Sequence, residues 1–313
     1  MEVKLIVHSL QSLMSLENSD PIISRVMTER MQGHDTRKSI FLKLEEQLGR
    51  PVVSFFTSFK FPVSIGDDDA DMLEAVLQKI DLSKGLVLFI SSPGGDGLAA
   101  ERIINVCRSY SGTGEYWAIV PGKAKSAATM VCFGASKIIM GGTSELGPVD
   151  PQMAISAAGT IQRFSVYNIV ESYDELFAKA VSEQGNLEPY LQQLANYDER
   201  GIRELRSAIS LAEDIAVTAL VSGMLAGSNF DDVRDKIKIF LTPETTKMHG
   251  RPIYWKDASD CGLKIQLEDV KGGLWQMAYE LYIRTNEFVS SRAAKCFESK
   301  EHSFYVAVQM EES

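Results

Sequence analysis

Residues 86–90 read L-V-L-F-I, five apolar side chains in a row, closed by S-S-P-G-G-D-G. A strand with one face in water alternates apolar and polar side chains. An unbroken apolar run of this length reads as a strand buried on both faces, inside a parallel sheet with helices above and below. The flanking segments supply those helices. D-D-D-A-D-M-L-E-A-V-L-Q-K-I begins with acids, which suit a helix N-terminus, and carries apolar residues at helical spacing. Leu98 to Tyr110 is helical by the same spacing. P-V-V-S-F-F-T is a β-rich run bounded by Pro51, and Y-W-A-I-V is a strand ended by P-G. Ser126 to Gly134 is a helix of small residues, and K-I-I-M is a short strand. Strand, helix, strand, helix, strand in this order predicts an α/β fold with a parallel sheet and right-handed crossovers.

Outside this core, residues 21–48 predict two helical pieces broken at Gly33 and Asp35, with Gly49 as C-cap. From about 168 to 240 the pattern is helical and more polar, a short helix covers Trp255 to Cys261, and one long helix runs from Gly273 to about Ala294. The expected divisions are an N-terminal helical segment (1–49), a core (50–268) that includes the helical 168–240 segment, and a C-terminal helix and tail (269–313). Ordinary composition, 45% hydrophobic and 24% charged, suits a soluble globular chain long enough to bury a sizeable core. A net charge of −10 argues against nucleic acid as the partner, since phosphate binding needs clustered Lys and Arg. No apolar run approaches the roughly 18–20 residues of a membrane helix. Met1 to Ser15 lacks the basic, apolar, small-residue order of a secretory signal. Cys107, Cys132, Cys261 and Cys296 lack metal-binding spacing, and the first two fall in apolar segments as buried small hydrophobes. The expectation is a cytoplasmic, reduced chain with no metal and no cofactor.

Two loops, S-S-P-G-G-D-G and G-K-A-K-S-A-A-T-M, come after buried strands and so sit at the carboxyl end of one sheet, where ligands gather. Pro93-Gly94-Gly95 reads either as a tight turn or as bare backbone whose N–H groups can face an anion or a carbonyl oxygen. The dinucleotide pattern G-x-G-x-x-G and the phosphate loop are both absent. Ser126 stands at a helix N-terminus. It reads either as an N-cap or as a nucleophile whose oxyanion would meet the helix dipole and the N–H of Ala127. The G-x-S-x-G elbow is absent.

L-F-I-S-S-P-G-G, A-K-S-A-A-T-M, K-I-I-M-G and S-E-L-G-P-V-D-P-Q occur in this order, with H-G-R-P-I and C-G-L after them. Together they resemble the Clp peptidase fold, and within it the serine dehydrogenase proteinase family, relatives of signal peptide peptidases. The resemblance runs from about residue 50 to 266, with Ala128 where K-S-A-G-T would have glycine. It implies a Clp/crotonase-type spiral of ββα units with N-terminal helices and a long C-terminal helix. It implies a serine endopeptidase with Ser126 as nucleophile, the N–H groups of Gly95 and Ala127 as oxyanion donors, and Gly94 in the substrate loop. The implied substrate is a peptide or unfolded protein and the implied assembly a homo-oligomer. No ATPase motif is present, so any unfoldase would be a separate chain.

The general base is left open. Clp peptidases carry a histidine in an H-Q-P context downstream of the serine, where this chain reads L-G-P-V-D-P-Q. Of the four histidines, His8, His34 and His302 are expected to be solvated. His249 is expected in a loop between a strand end at Phe240 and Pro252, and is a candidate base because imidazole has the right ordinary pKa. Lys125, next to Ser126, is a second candidate if desolvated. Lys179 sits in a charged amphipathic helix and reads as solvated, and Lys247 lies near His249. Asp150 either orients a base or caps the turn between Pro148 and Pro151. Two further classes stand beside the peptidase: a non-catalytic oligomeric scaffold or peptide-binding protein, and acyl-thioester chemistry of the crotonase kind.

Overall fold

The computed structural model describes residue 22, residues 33–157 and residues 160–308. His8, the stretch Met1 to Ser15 and, apart from residue 22, the first helical piece expected before Gly33 lie outside the described residues. In chain order the first elements are α1 (Asp35–Leu48), β1 (Val52–Thr57), α2 (Asp67–Leu77), β2 (Leu86–Ser91), α3 (Gly97–Tyr110), β3 (Tyr116–Val120), β4 (Lys123–Ala124), α4 (Ala127–Phe133), β5 (Lys137–Met140) and β6 (Glu145–Leu146). A hairpin of β7 (Gln152–Ala157) and β8 (Thr160–Ser165) leads into α5 (Val166–Ser182), α6 (Glu188–Leu194) and α7 (Glu199–Val221). The rest comprises α8 (Phe230–Lys236), α9 (Lys238–Leu241), α10 (Pro243–Thr246), α11 (Trp255–Asp260), β9 (Ile265–Leu267), α12 (Gly273–Ser291), β10 (Ala293–Glu298) and β11 (Ser303–Ala307).

The seven-stranded sheet has the order β11-β10-β1-β2-β3-β5-β9. Its strands β1, β2, β3, β5 and β9 are parallel, and β10 and β11 add antiparallel beyond β1. Every residue of β2 is buried. Leu86, Leu88 and Ile90 pack into the core shared with α2, α3 and α4, while Val87 and Phe89 join a second core with Phe41 of α1 and Trp275 and Leu281 of α12. Alternate side chains of one strand thus feed two layers, which is why the run had to be apolar throughout. The α/β class and the parallel core expected from the sequence are present. All four cysteines are free and buried, Cys107 and Cys132 in the first core.

Three expectations are corrected. The long C-terminal helix ends at Ser291, and the chain then returns to the sheet instead of trailing off as a tail: A-A-K-C-F-E pairs antiparallel with β1, and Phe297 stacks on Phe55 at 4.4 Å. No local period announces this strand, because its burial comes from a partner far away in sequence. The segment around Phe240 is helical. Asn229 caps α8 by accepting the Asp232 N–H at 3.2 Å, and α9 comes next. His34 is half-buried instead of solvated, its Nε2–H donating to the Ser299 carbonyl at 2.8 Å.

Candidate active site

Two loops are welded together at the carboxyl ends of β2 and β3. The Ser92 N–H donates to the Lys123 carbonyl and the Lys125 N–H to the Ser92 carbonyl, each at 3.0 Å. On its other side the glycine turn is pinned to Ile65, whose N–H donates to the Gly94 carbonyl at 2.8 Å while the Asp96 N–H donates to the Ile65 carbonyl at 3.0 Å. Gly94 has φ 98°, and a side chain there would place its Cβ 2.7 Å from Ser126 Cβ. Glycine is therefore what lets the turn lie against the serine.

Ser126 itself has φ 51° and ψ −122°, a conformation that L-residues avoid at a cost of about 1–3 kcal/mol. Its carbonyl is held by the N–H groups of Thr129 and Met130 at 2.8 and 3.1 Å, and all seven residues of α4 are buried. Although Ser126 occupies the N-cap position, its hydroxyl makes no capping hydrogen bond. The side chain is therefore free for another task. Among the described residues the N–H groups of Gly95 and Ala127 donate to no acceptor.

Gly94, Gly95, Ser126, Ala127 and His249 line one cavity of about 710 Å³. Phe59, Leu98, Met130, Leu211 and Ile215 give it an apolar wall. The imidazole arrives from far down the chain because the loop after β6 is stitched to the segment that carries it. Leu146 and Ile253 exchange backbone hydrogen bonds at 2.9 and 3.0 Å, and the Val149 N–H donates to the Phe240 carbonyl at 2.7 Å. One residue on, the fully buried Asp150 side chain sits with Oδ1 2.8 Å from His249 Nδ1, and its Oδ2 accepts the Ser165 hydroxyl at 2.8 Å. An ionised carboxylate only accepts, so Nδ1 carries the ring proton and Nε2 is left as a base. Ser126 and His249 share the cavity without a hydrogen bond between them in the described residues. Such contacts commonly tighten only when substrate is bound.

The lysines are elsewhere. Lys125 does not line the cavity: its ammonium pairs with Glu145 at 2.8 Å and donates to the Leu146 carbonyl at 3.0 Å. Burial pushes its pKa down, with Glu145 pushing back. A cation so engaged braces the loop after β6 and is poorly placed to take a proton from Ser126. Lys179 is exposed on α5 beside Glu175, and Lys247 is exposed at the end of α10. Among the described residues no group of His, Cys, Asp and Glu could hold a metal ion. Ser165 escaped sequence reasoning because a serine preceding a helical run reads as an N-cap. Its hydroxyl caps nothing and serves Asp150 instead.

The family model for ClpP-like SDH-type serine proteinases matches residues 22–182. The chain is similar to two uncharacterized proteins of Methanocaldococcus jannaschii. One is 34% identical over 113 residues, 36% of this chain and 36% of the relative, and the other is 30% identical over 137 residues, 42% of each. The chain thus spans less than half the length of these curated relatives. Among solved structures it is similar to a membrane-bound stomatin-specific protease, at 17% identity over 41% of this chain and 63% of that one, with a TM-score of 0.28. No helix among the described residues is long and apolar enough to cross a membrane.

Proposed function

The chain belongs to the ClpP-like SDH-type serine proteinase family, and we propose that it is an endopeptidase working through an acyl-enzyme on Ser126. Ser126 Oγ attacks the scissile carbonyl carbon while His249 Nε2 takes its proton. Asp150 holds the ring and stabilises the imidazolium, and the N–H groups of Gly95 and Ala127 receive the oxyanion. His249 then gives its proton to the leaving amine. Water, deprotonated by the same nitrogen, releases the acyl group and restores the serine. The observation that carries this reading is the convergence in one cavity of a strained, uncapped serine and an imidazole whose far nitrogen is tied to a buried carboxylate.

The test is a fluorophosphonate probe. Labelling of the wild type, lost in Ser126→Ala and slowed at least about 100-fold in His249→Ala, is the expected result. A folded protein that no such probe labels overturns the peptidase and leaves the peptide-binding scaffold. The same proposal places the chain in the cytoplasm, where its four free buried thiols stay reduced. It makes the chain a homo-oligomer joined through exposed apolar residues of α5 and α6, such as Phe177, Val181 and Leu191. Sedimentation of a monomer at all concentrations would refute the assembly.

A further inference from the structure

The β7–β8 hairpin brings a cation to the cavity. Side chains alternate along a strand, so Ser165 and Arg163 lie on the same face of β8. Ser165 reaches Asp150, and Arg163, two residues earlier, lines the cavity together with Gln152 and His249. Across the hairpin Gln152 pairs with Ser165 and Ala154 with Arg163. The side chain paired with Arg163 across the hairpin is therefore only a methyl group.

Among the described residues Arg163 makes no ion pair and no hydrogen bond. Arg102 pairs with Asp67 and Asp71, Arg206 with Asp174, and Arg234 with Asp231, while the exposed Arg251 and Arg292, like Arg163, have no ion pair or side-chain hydrogen bond among the described residues. What sets Arg163 apart is its place: among the described residues it is the arginine that lines the cavity with His249. The cavity lining holds one carboxylate, Asp96, and its Oδ1 already accepts the Leu98 N–H at 2.9 Å.

We propose that Arg163 sets specificity: the cavity takes peptides bearing a carboxylate, from an Asp or Glu side chain or from a free C-terminus. The guanidinium fork receives both carboxylate oxygens in parallel hydrogen bonds, and apolar neighbours in the peptide lie against Leu98, Leu211 and Ile215. The turnover expected here rests on the peptidase reading above, but the binding does not.

The test therefore measures binding first, on full-length Ser126→Ala protein, by fluorescence anisotropy. Three labelled peptides share one leucine- and alanine-rich sequence. The first has an internal Glu and an amidated end, the second Gln and a free carboxylate, the third Gln and an amide. At least one of the first two should bind about tenfold more tightly than the third, and which one does so identifies the source of the carboxylate. Adding Arg163→Gln should bring the ratio to within about twofold of one, and Arg163→Glu should transfer the preference to a Lys-containing peptide. Equal affinities, a preference that survives Arg163→Gln, or no binding of any peptide up to about 1 mM would overturn the proposal. In wild-type protein kcat/KM should rank the peptides in the same order. Loss of all turnover and probe labelling with the binding order intact would defeat the peptidase reading alone.

Discussion

Ser126 is held in a conformation its own chemistry disfavours, and the residues that hold it are those that would make it reactive. Gly94 fits against it only as glycine, so Gly94→Ala is expected to displace the serine and abolish probe labelling while the far core keeps its fold. Labelling at the wild-type rate would show that the close approach does not matter. On the base side, Asp150→Asn replaces a carboxylate that accepts from both His249 and Ser165 with an amide that has one acceptor and an NH2 donor. The amide can donate to Nδ1 and select the wrong tautomer, and kcat/KM should fall by about 10²–10⁴-fold. Ser165→Ala leaves one buried carboxylate oxygen without its donor. A loss of about tenfold in kcat/KM is expected, restored by Ser165→Thr but not by Ser165→Val, which fills the space without donating. Rescue by both would reduce Ser165 to packing. At this scale the sequence was informative where chemistry is rare. Ser126, Asp150 and His249 were legible as candidates because few serines stand at a strand-to-helix turn of the core, few histidines exist to choose from, and Asp150 lies in the loop that follows. Lys125 was equally legible and is turned to Glu145, since the direction of a side chain next to the serine depends on the local backbone. Arg163 carried no signal, as a lone arginine is an ordinary surface residue, and Ser165 reads as the N-cap of the helix that follows it.

Among the elements, β1, β2, β3 and β5 could be read because each is mostly apolar and buried over its own few residues, whereas the partly exposed I-Q-L of the parallel β9 offers no such run. The β7–β8 hairpin and the C-terminal strands could not be read, because what makes them strands is a partner, and in the case of β10 that partner is about 240 residues away in β1. The short α4 shows how elements are locked into a site. Thr129 is fully buried, its Oγ1 2.8 Å from the Ala124 carbonyl and accepting the Gly147 N–H at 3.1 Å. One hydroxyl thus ties the serine helix to the loop that ends in Asp150. Thr129→Val keeps the shape and removes both bonds, leaving a buried donor and a buried acceptor unmatched. A destabilisation of about 1–3 kcal/mol is expected by denaturant unfolding, together with a fall in kcat larger than any rise in KM. An unchanged kcat in a destabilised variant would mean that the loop holds Asp150 without this link.

Over the whole molecule, the two ends of the described chain are joined by a pair that neither end announces in sequence. Arg37 of α1 and Glu298 of β10 have no side-chain exposure, and they meet through Nε–Oε2 at 2.7 Å and Nη2–Oε1 at 2.6 Å. The Ser303 hydroxyl adds a bond to Oε1 at 2.7 Å, and Phe288 of α12 lies 4.8 Å from the guanidinium. Burial alone would push the Glu298 pKa up. The hydrogen bonds and charge of Arg37 outweigh it and hold the carboxyl below its ordinary value of 4.5. A group whose folded-state pKa is depressed contributes its stability in full above the unfolded value, and loses it as pH falls through the folded one. The contribution should therefore be complete at neutral pH and disappear on acidification below 4.5. Glu298→Gln leaves Arg37 buried opposite a neutral amide, and breaking a buried pair in this way costs about 3–5 kcal/mol. Thermal unfolding of wild type and variant across pH should show a gap of that order at pH 7 that narrows on acidification, because the wild type loses its charge there and the variant has none to lose. A gap constant from neutral to acid pH would show that the side chains join the two ends by shape alone, with their charges contributing nothing.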